Sequence, residues 1–168
     1  MLPCFCMRMA VSGLGGAEKH NHHDNSITIR PARAEDAGRI AELSGQLGYP
    51  AAEEDIRRRL AAIEQDGRGV VYVAEADGQA IGWVHVYSAP QLESDPHAEI
   101  GGLVVDEAHR GCGVGRLLMQ EAEDWAREHG CREVRVRSNV IREQAHIFYE
   151  RIDYINVKTQ KVFRKILR

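Results

Sequence analysis

No apolar run in this 168-residue chain approaches the roughly 18 residues that a membrane-crossing helix requires, so no transmembrane helix is expected. Long basic blocks are absent too. The 22 Lys and Arg and 25 Asp and Glu are interspersed and leave a formal charge of -3. That balance argues against a general nucleic-acid binder or a membrane-surface binder. Cysteine is sparse: Cys4, Cys6, Cys112 and Cys131 have no zinc-ribbon spacing, so no metal site is expected. Their thiols fit a reducing, cytoplasmic setting. The first 17 residues lack the unbroken apolar stretch and cleavage site of a secretory signal. Internal repeats are missing as well.

What is present reads as a flexible tail over residues 1–26 followed by one domain over residues 27–168. The tail holds a Gly-rich stretch and His20, His22 and His23 without a partnering acidic or cysteine cluster. Alternation predicts strands near residues 27–29, 70–76, 79–87, 98–105 and 133–137. Asp77-Gly78 is a hairpin signal between two of them. Residues 89–97, with two prolines, read as a loop. Helical spacing predicts helices near 35–47, 53–63, 114–129 and 142–151. On the third, Val114, Leu117, Leu118, Ala122, Trp125 and Ala126 form the expected apolar stripe. Residues 154–167 read as two further short strands or a hairpin.

The chemical signal lies where an apolar strand runs into Arg110-Gly-Cys-Gly-Val-Gly115 and then a long helix. Glycines let the backbone approach a ligand closely. The first N–H groups of the helix have no internal partner and carry the positive end of its dipole. Together they form an anion site suited to phosphate, with Arg110 and Arg116 as added donors. A Walker loop is excluded because no Lys-Ser or Lys-Thr follows the last glycine. The spacing Gly111-x-Gly113-x-Gly115 is not the dinucleotide fingerprint either.

The string LVVDEAHRGCGVGRLL, residues 103–118, resembles the acetyl-CoA motif of the GNAT superfamily of N-acetyltransferases. Arg110, Gly113 and Gly115 fall on its defining positions. Ile29-Arg-Pro-Ala32 with Glu35-Asp36 is similar to the family's opening segment. Ser138, Arg142, Ala145-His146 and Phe148-Tyr-Glu150 are similar to its last motif. The resemblance covers residues 27–168. It implies an α/β (α+β) fold with a mixed, mostly antiparallel sheet of six or seven strands and about four helices. It also implies acetyl-CoA as cosubstrate and an amine as acceptor.

By that resemblance, pantetheine pairs with the backbone of Leu103, Val104 and Val105 where this strand splays from the next. The pyrophosphate rests on Arg110, Gly111, Cys112, Gly113, Val114, Gly115 and Arg116. Asn139 and His146 line the thiol side, and Tyr149 matches the family's general acid. Glu99 is the candidate base. Strand alternation puts it on the face of Leu103, four residues on. His97 is the weaker alternative, with the right intrinsic pKa. Asp153 stands where the family carries glycine after the last helix, a position requiring φ > 0. The acceptor side has no readable code beyond Glu53, Glu54, Asp55, Glu93 and Asp95, which suit a cationic small-molecule amine. A protein N-terminus or lysine, a non-catalytic CoA-binding module and a homodimer remain open alternatives.

Overall fold

Residues 69–76 are rich in Val and Tyr, types that fit a pleated, half-buried surface. In the computed structural model, which describes residues 26–167, they form the second strand of a five-stranded sheet. The strands are β1 (Thr28–Pro31), β2 (Gly69–Ala76), β3 (Gln79–Gln91), β4 (Ser94–Val105) and β5 (Val134–Val136). They lie in sequential order, antiparallel except for the parallel pair β4–β5. The helices are α1 (Ala37–Gln46), α2 (Glu53–Asp66), α3 (Val114–Glu128) and α4 (Glu143–Arg151). The chain divides into two units, Met1–Val136 and Arg137–Arg168. The expected tail lies outside the described residues apart from Ser26.

Turn chemistry places these elements. Asp77 and Gly78 take φ of 51° and 74°, the left-handed pair that a two-residue hairpin demands. Helix α1 ends with Gly48 at φ 91°, where Gly48 N–H donates to Gly45 O and Tyr49 N–H to Ser44 O. Helix α3 ends the same way at Gly130, with Cys131 N–H reaching Ala126 O at 2.9 Å. Both are Schellman closures, which satisfy carbonyls left over at a helix end.

Within the first unit, α1 and α2 cover one sheet face. Ala37, Ile40 and Ile56 are buried there with Val73 and Ala80, and Trp83 packs against them. Helix α3 covers the other face, where Leu118 sits against Gly82. The buried residues of α3 are Val114, Leu118, Met119, Ala122, Trp125 and Ala126. Leu117, expected in that stripe, is 39% exposed, and Met119 takes its place. The stripe follows the positions facing the sheet, and Leu117 sits beyond its edge at 100° per residue.

Two expectations are corrected. Residues 89–97 are strand, with only Leu92 and Glu93 between β3 and β4. The ladder skips from Ala89↔His97 to Gln91↔Ser94, so both prolines fall in an irregularity where no ladder N–H is required. At the other end, residues 154–167 form no strand, so the sheet has five strands rather than six or seven. Ile155, Val157, Val162 and Phe163 are 76–91% exposed there. Alternation specifies which side chains share a face, but a strand also needs a partner edge.

Candidate active site

A β-bulge in β4 shapes the site. The pairing runs Tyr87↔Glu99, Val86↔Ile100, then His85↔Gly102, leaving Gly101 as an extra residue. Beyond it come Val84↔Leu103 and Trp83↔Val104. Glu99 therefore shares a face with Tyr87 and His85, whereas Leu103 shares the opposite face with Val84. The expectation that Glu99 and Leu103 lie on one face fails because one inserted residue reverses the period of two.

The same bulge sets the backbone. Asp106 N–H donates to Ile81 O on β3 at 2.8 Å. Backbone groups alternate sides along a strand, so those of Leu103 and Val105 point away from β3, and those of Val104 toward it. On that outward side, pairing with β5 covers Ala98, Glu99 and Ile100 and then stops. Past Ile100, β4 has an edge with no strand neighbour among the described residues. One of its acceptors is occupied: Arg110 Nε donates to Val105 O at 3.2 Å.

The link from this edge to the Gly-rich turn is braced by α1. Asp106 accepts from Ala108 N–H and from Arg39, whose Nε also reaches Ala80 O at 3.0 Å. The Ala108 N–H and the Arg39 guanidinium hold the Asp106 carboxyl below the usual carboxylate range. Gln46 Oε1 accepts from Glu107 N–H. In the turn, Gly111 and Gly113 take φ of 81° and 84°. A Cβ on either would meet nothing within 4 Å, so their backbone is open to a ligand on the side that a Cβ would occupy. The first carbonyl used inside α3 is Gly113 O, reached by the N–H groups of Arg116 and Leu117. Those of Val114 and Gly115 precede it and have no acceptor within the helix. Gly111, Cys112 and Arg116 are exposed, and Cys112 and Cys131 are both thiols. A diphosphate fits this row of donors.

Glu99 is only 6% exposed. Tyr87 Oη donates to its Oε2 at 2.9 Å. The ring of His85 lies against Tyr87 at 5.2 Å between centroids. Burial pushes the His85 imidazole below the usual histidine range. Neither Tyr87 nor His85 was singled out from sequence. Their signal was cross-strand register, which is invisible until the hairpin length is known.

His97 is fully buried on β4, not in a loop. Its Nε2 is 3.4 Å from Arg135 Nη1 and its Nδ1 is 3.3 Å from Asp95 O. A guanidinium only donates, so Nε2 accepts and Nδ1 carries the proton. Both nitrogens thus face protein groups.

The second unit carries the remaining three candidates. Asn139 organises the turn before α4: its O accepts from Arg142 N–H at 3.0 Å, and its Oδ1 from Ile141 N–H at 3.2 Å. His146 Nε2 lies 3.0 Å from the same carbonyl. Tyr149 packs edge-on to Phe148 and beside Tyr154. Burial pushes its phenol up to about 12. Tyr149 O also accepts from Tyr154 N–H at 3.0 Å, and Asp153 N–H reaches Glu150 O at 3.2 Å. This is a third Schellman closure, with Asp153 at φ 68° in the glycine position.

Of the acidic residues suited to a cation, two are matched on their own helix. Glu53 pairs with Arg57 and Asp55 with Arg58. Glu93 and Asp95 are exposed near the β3–β4 hairpin tip. No cluster of three or more His, Cys, Asp or Glu able to hold a metal occurs among the described residues. Nor is any described helix long and apolar enough to cross a membrane.

Proteins of known structure share this fold. The family model described as "Acetyltransferase (GNAT) family" matches residues 37–154. An aminoglycoside N(6')-acetyltransferase type 1 from Stenotrophomonas maltophilia is 32% identical over 142 residues, covering 82% of this chain and 92% of the relative. Among solved structures, the aminoglycoside 6'-N-acetyltransferase AAC(6')-IG of Acinetobacter haemolyticus superposes with a TM-score of 0.74 at 21% identity, covering 84% of this chain and 99% of that one. AAC(6')-Iy, solved with a bisubstrate analogue of CoA and acetylneamine, gives a TM-score of 0.75 at 20% identity, with the same coverage of each chain. The chain belongs to the GNAT acetyltransferase family, and it is an acyltransferase that uses acetyl-CoA to acetylate an amine.

Proposed function

We propose that the acceptor is a small polycationic amine of the aminoglycoside kind and that residues 27–168 work as one acetyltransferase domain. In this reading the amine attacks the thioester directly while both substrates are bound, with Glu99 as base. The observation that carries it is the buried Glu99 carboxylate, one residue ahead of the point where β4 parts from β5. The name of the 32% identical relative supports the acceptor class.

An alkylammonium has a pKa near 10, so about one part in a thousand is neutral at pH 7, a cost of about 4 kcal/mol. A carboxylate at the site attracts the ammonium and takes its proton, directly or through water. The freed lone pair then bonds to the thioester carbon, and the C=O electron pair moves onto oxygen. The outward N–H of Leu103 is the donor we assign to that oxyanion. As the intermediate collapses, the nitrogen gives its surplus proton to solvent, the C–S bond breaks with its electron pair going to sulfur, and the thiolate leaves toward the phenol we assign to it, Tyr149.

On the donor side, Leu103 and Val105 offer outward backbone groups to pantetheine, and Arg110 to Arg116 receive the diphosphate. Asn139 and His146 complete the thiol side. The thiols of Cys112 and Cys131 support a cytoplasmic setting. The exposed apolar side chains between Ile155 and Phe163 support a homodimer. The net charge of -3 supports the absence of a nucleic-acid partner.

The test is thiol release from acetyl-CoA against aminoglycosides, polyamines, amino acids and lysine or N-terminal peptides. Turnover is expected with an aminoglycoside, reduced at least a hundredfold by Glu99→Gln. Turnover confined to peptides would overturn the acceptor class. Full activity of Glu99→Gln would overturn the base.

A further inference from the structure

We propose that Tyr87 is a positioning residue for Glu99, and that the missing side chain at Gly101 makes its arrangement possible. The inference rests on the reading of Glu99 as base.

Tyr87 and Glu99 are register partners on β3 and β4, so their side chains leave the same face side by side. The phenol donates to Oε2 at 2.9 Å. That bond fixes one carboxylate oxygen and with it the plane of the group. Two neighbours shape the Tyr87 position, one by leaving room and one by ring contact. Gly69, its partner on β2, has no side chain, and a Cβ there would lie 2.6 Å from Tyr87 Cβ. His85 leans on the ring from its own strand.

Gly101, the bulged residue, explains how His85 fits. A Cβ on Gly101 would lie 2.6 Å from His85 Nδ1 and 3.2 Å from Tyr87 Cε1. Real Cβ contacts essentially never fall under 3.0 Å, so any side chain at 101 forces the His85 ring to move and asks the Tyr87 ring beside it to give by a few tenths of an ångström. Among the described residues, charged or titratable groups that strand register brings near Glu99 include Tyr87 and His85 from β3, His97 on its own strand and Arg135 from β5. Burial holds His85 below the usual histidine range, so it adds no positive charge beside the carboxylate near neutral pH. Arg135 is turned to His97 Nε2 and to Glu133. The Tyr87 hydroxyl donates directly to the carboxylate, and it can be removed without changing the ring.

The experiment uses the full chain and Tyr87→Phe, which keeps the ring and its packing. Turnover of the best amine is followed by thiol release from pH 5 to 9, with acetyl-CoA affinity and thermal melting in parallel. The expected result is a fall of about tenfold in kcat/KM for the amine, with unchanged acetyl-CoA affinity. The acidic limb of the profile should move, because a hydrogen bond to the Glu99 carboxylate has been removed. In the Glu99→Gln background, Tyr87→Phe should cost nothing further. Gly101→Ala should reproduce the rate loss and the limb shift, and it carries the test if Tyr87→Phe does not fold. Slow Glu99→Gln with an unchanged rate and acidic limb in Tyr87→Phe would overturn this inference alone. A lower melting temperature and weaker acetyl-CoA binding without a limb shift would reduce Tyr87 to a structural role and overturn it equally. A fully active Glu99→Gln would instead remove the base reading on which it stands.

Discussion

Tyr149→Phe separates two ways in which a phenol assists a departing thiolate. Burial pushes the Tyr149 phenol up to about 12. A thiol of the CoA kind has a pKa near 8.5. Complete proton transfer from one to the other is uphill by about 3.5 pH units, or about 5 kcal/mol. A phenol in that position stabilises the thiolate by donating a hydrogen bond while keeping its proton. Hydrogen bonds to charged groups contribute about 1.5–3 kcal/mol. Removing the hydroxyl should therefore lower kcat by roughly 10- to 150-fold when chemistry limits turnover. Because the phenol stays protonated far above neutrality, wild-type kcat should show no alkaline fall due to Tyr149 below about pH 11. The assay is thiol release at saturating acetyl-CoA and amine, from pH 6 to 10. A kcat within twofold of wild type would refute the role. So would an alkaline limb near pH 9 that disappears in the variant, since it would mean that Tyr149 ionises in the working range.

Arg30→Met should lower stability by about 3 kcal/mol at pH 7 and flatten its dependence on acid. Arg30 holds Asp36 with two bonds of 2.8 Å and Glu75 with bonds of 2.7 and 2.5 Å, tying β1 and β2 to the start of α1. The guanidinium keeps the Asp36 carboxyl below its ordinary 3.8, so its contribution is full above that pH and is lost as pH falls through the folded value. Urea midpoints at pH 7 and pH 3 check this, and equal acid slopes in the two proteins would count against it. Asp153→Gly should raise stability by about 0.5–1 kcal/mol, because φ of 68° is left-handed and glycine adopts it without strain. A lower melting temperature in that variant would show that the Asp153 side chain contributes more than the strain removes.

Much of this protein was legible residue by residue. Asp77-Gly78 announced its hairpin because two adjacent left-handed residues are tolerated by few others. Gly111 and Gly113 take the left-handed conformation ahead of α3, as a Gly-rich turn before a helix should, and the free N–H groups at the helix start follow from helix geometry alone. The anomaly at Asp153 resolved into the expected closure, Asp taking the left-handed conformation in place of glycine. Tyr87 stayed hidden, because its role depends on which residue of another strand it faces.

Local physics was enough where a residue's neighbours in sequence dictate its conformation: helix ends, the hairpin turn and the left-handed glycines ahead of α3. It failed where a long-range count mattered. One extra residue at Gly101 turned Glu99 away from Leu103 and toward Tyr87, and period-two reasoning cannot see an insertion that exists only relative to the partner strand. Two prolines suggested a loop, yet residues 89–97 became strand because the ladder could skip past them. Residues 154–167 alternate like strands and form none, since alternation selects a face while a ladder requires an edge to pair with. The residues from 103 to 118 carried the family likeness without any knowledge of the sheet. Tertiary pairing alone decided which side chains stand beside Glu99, because register is a relation between strands and not a property of either one.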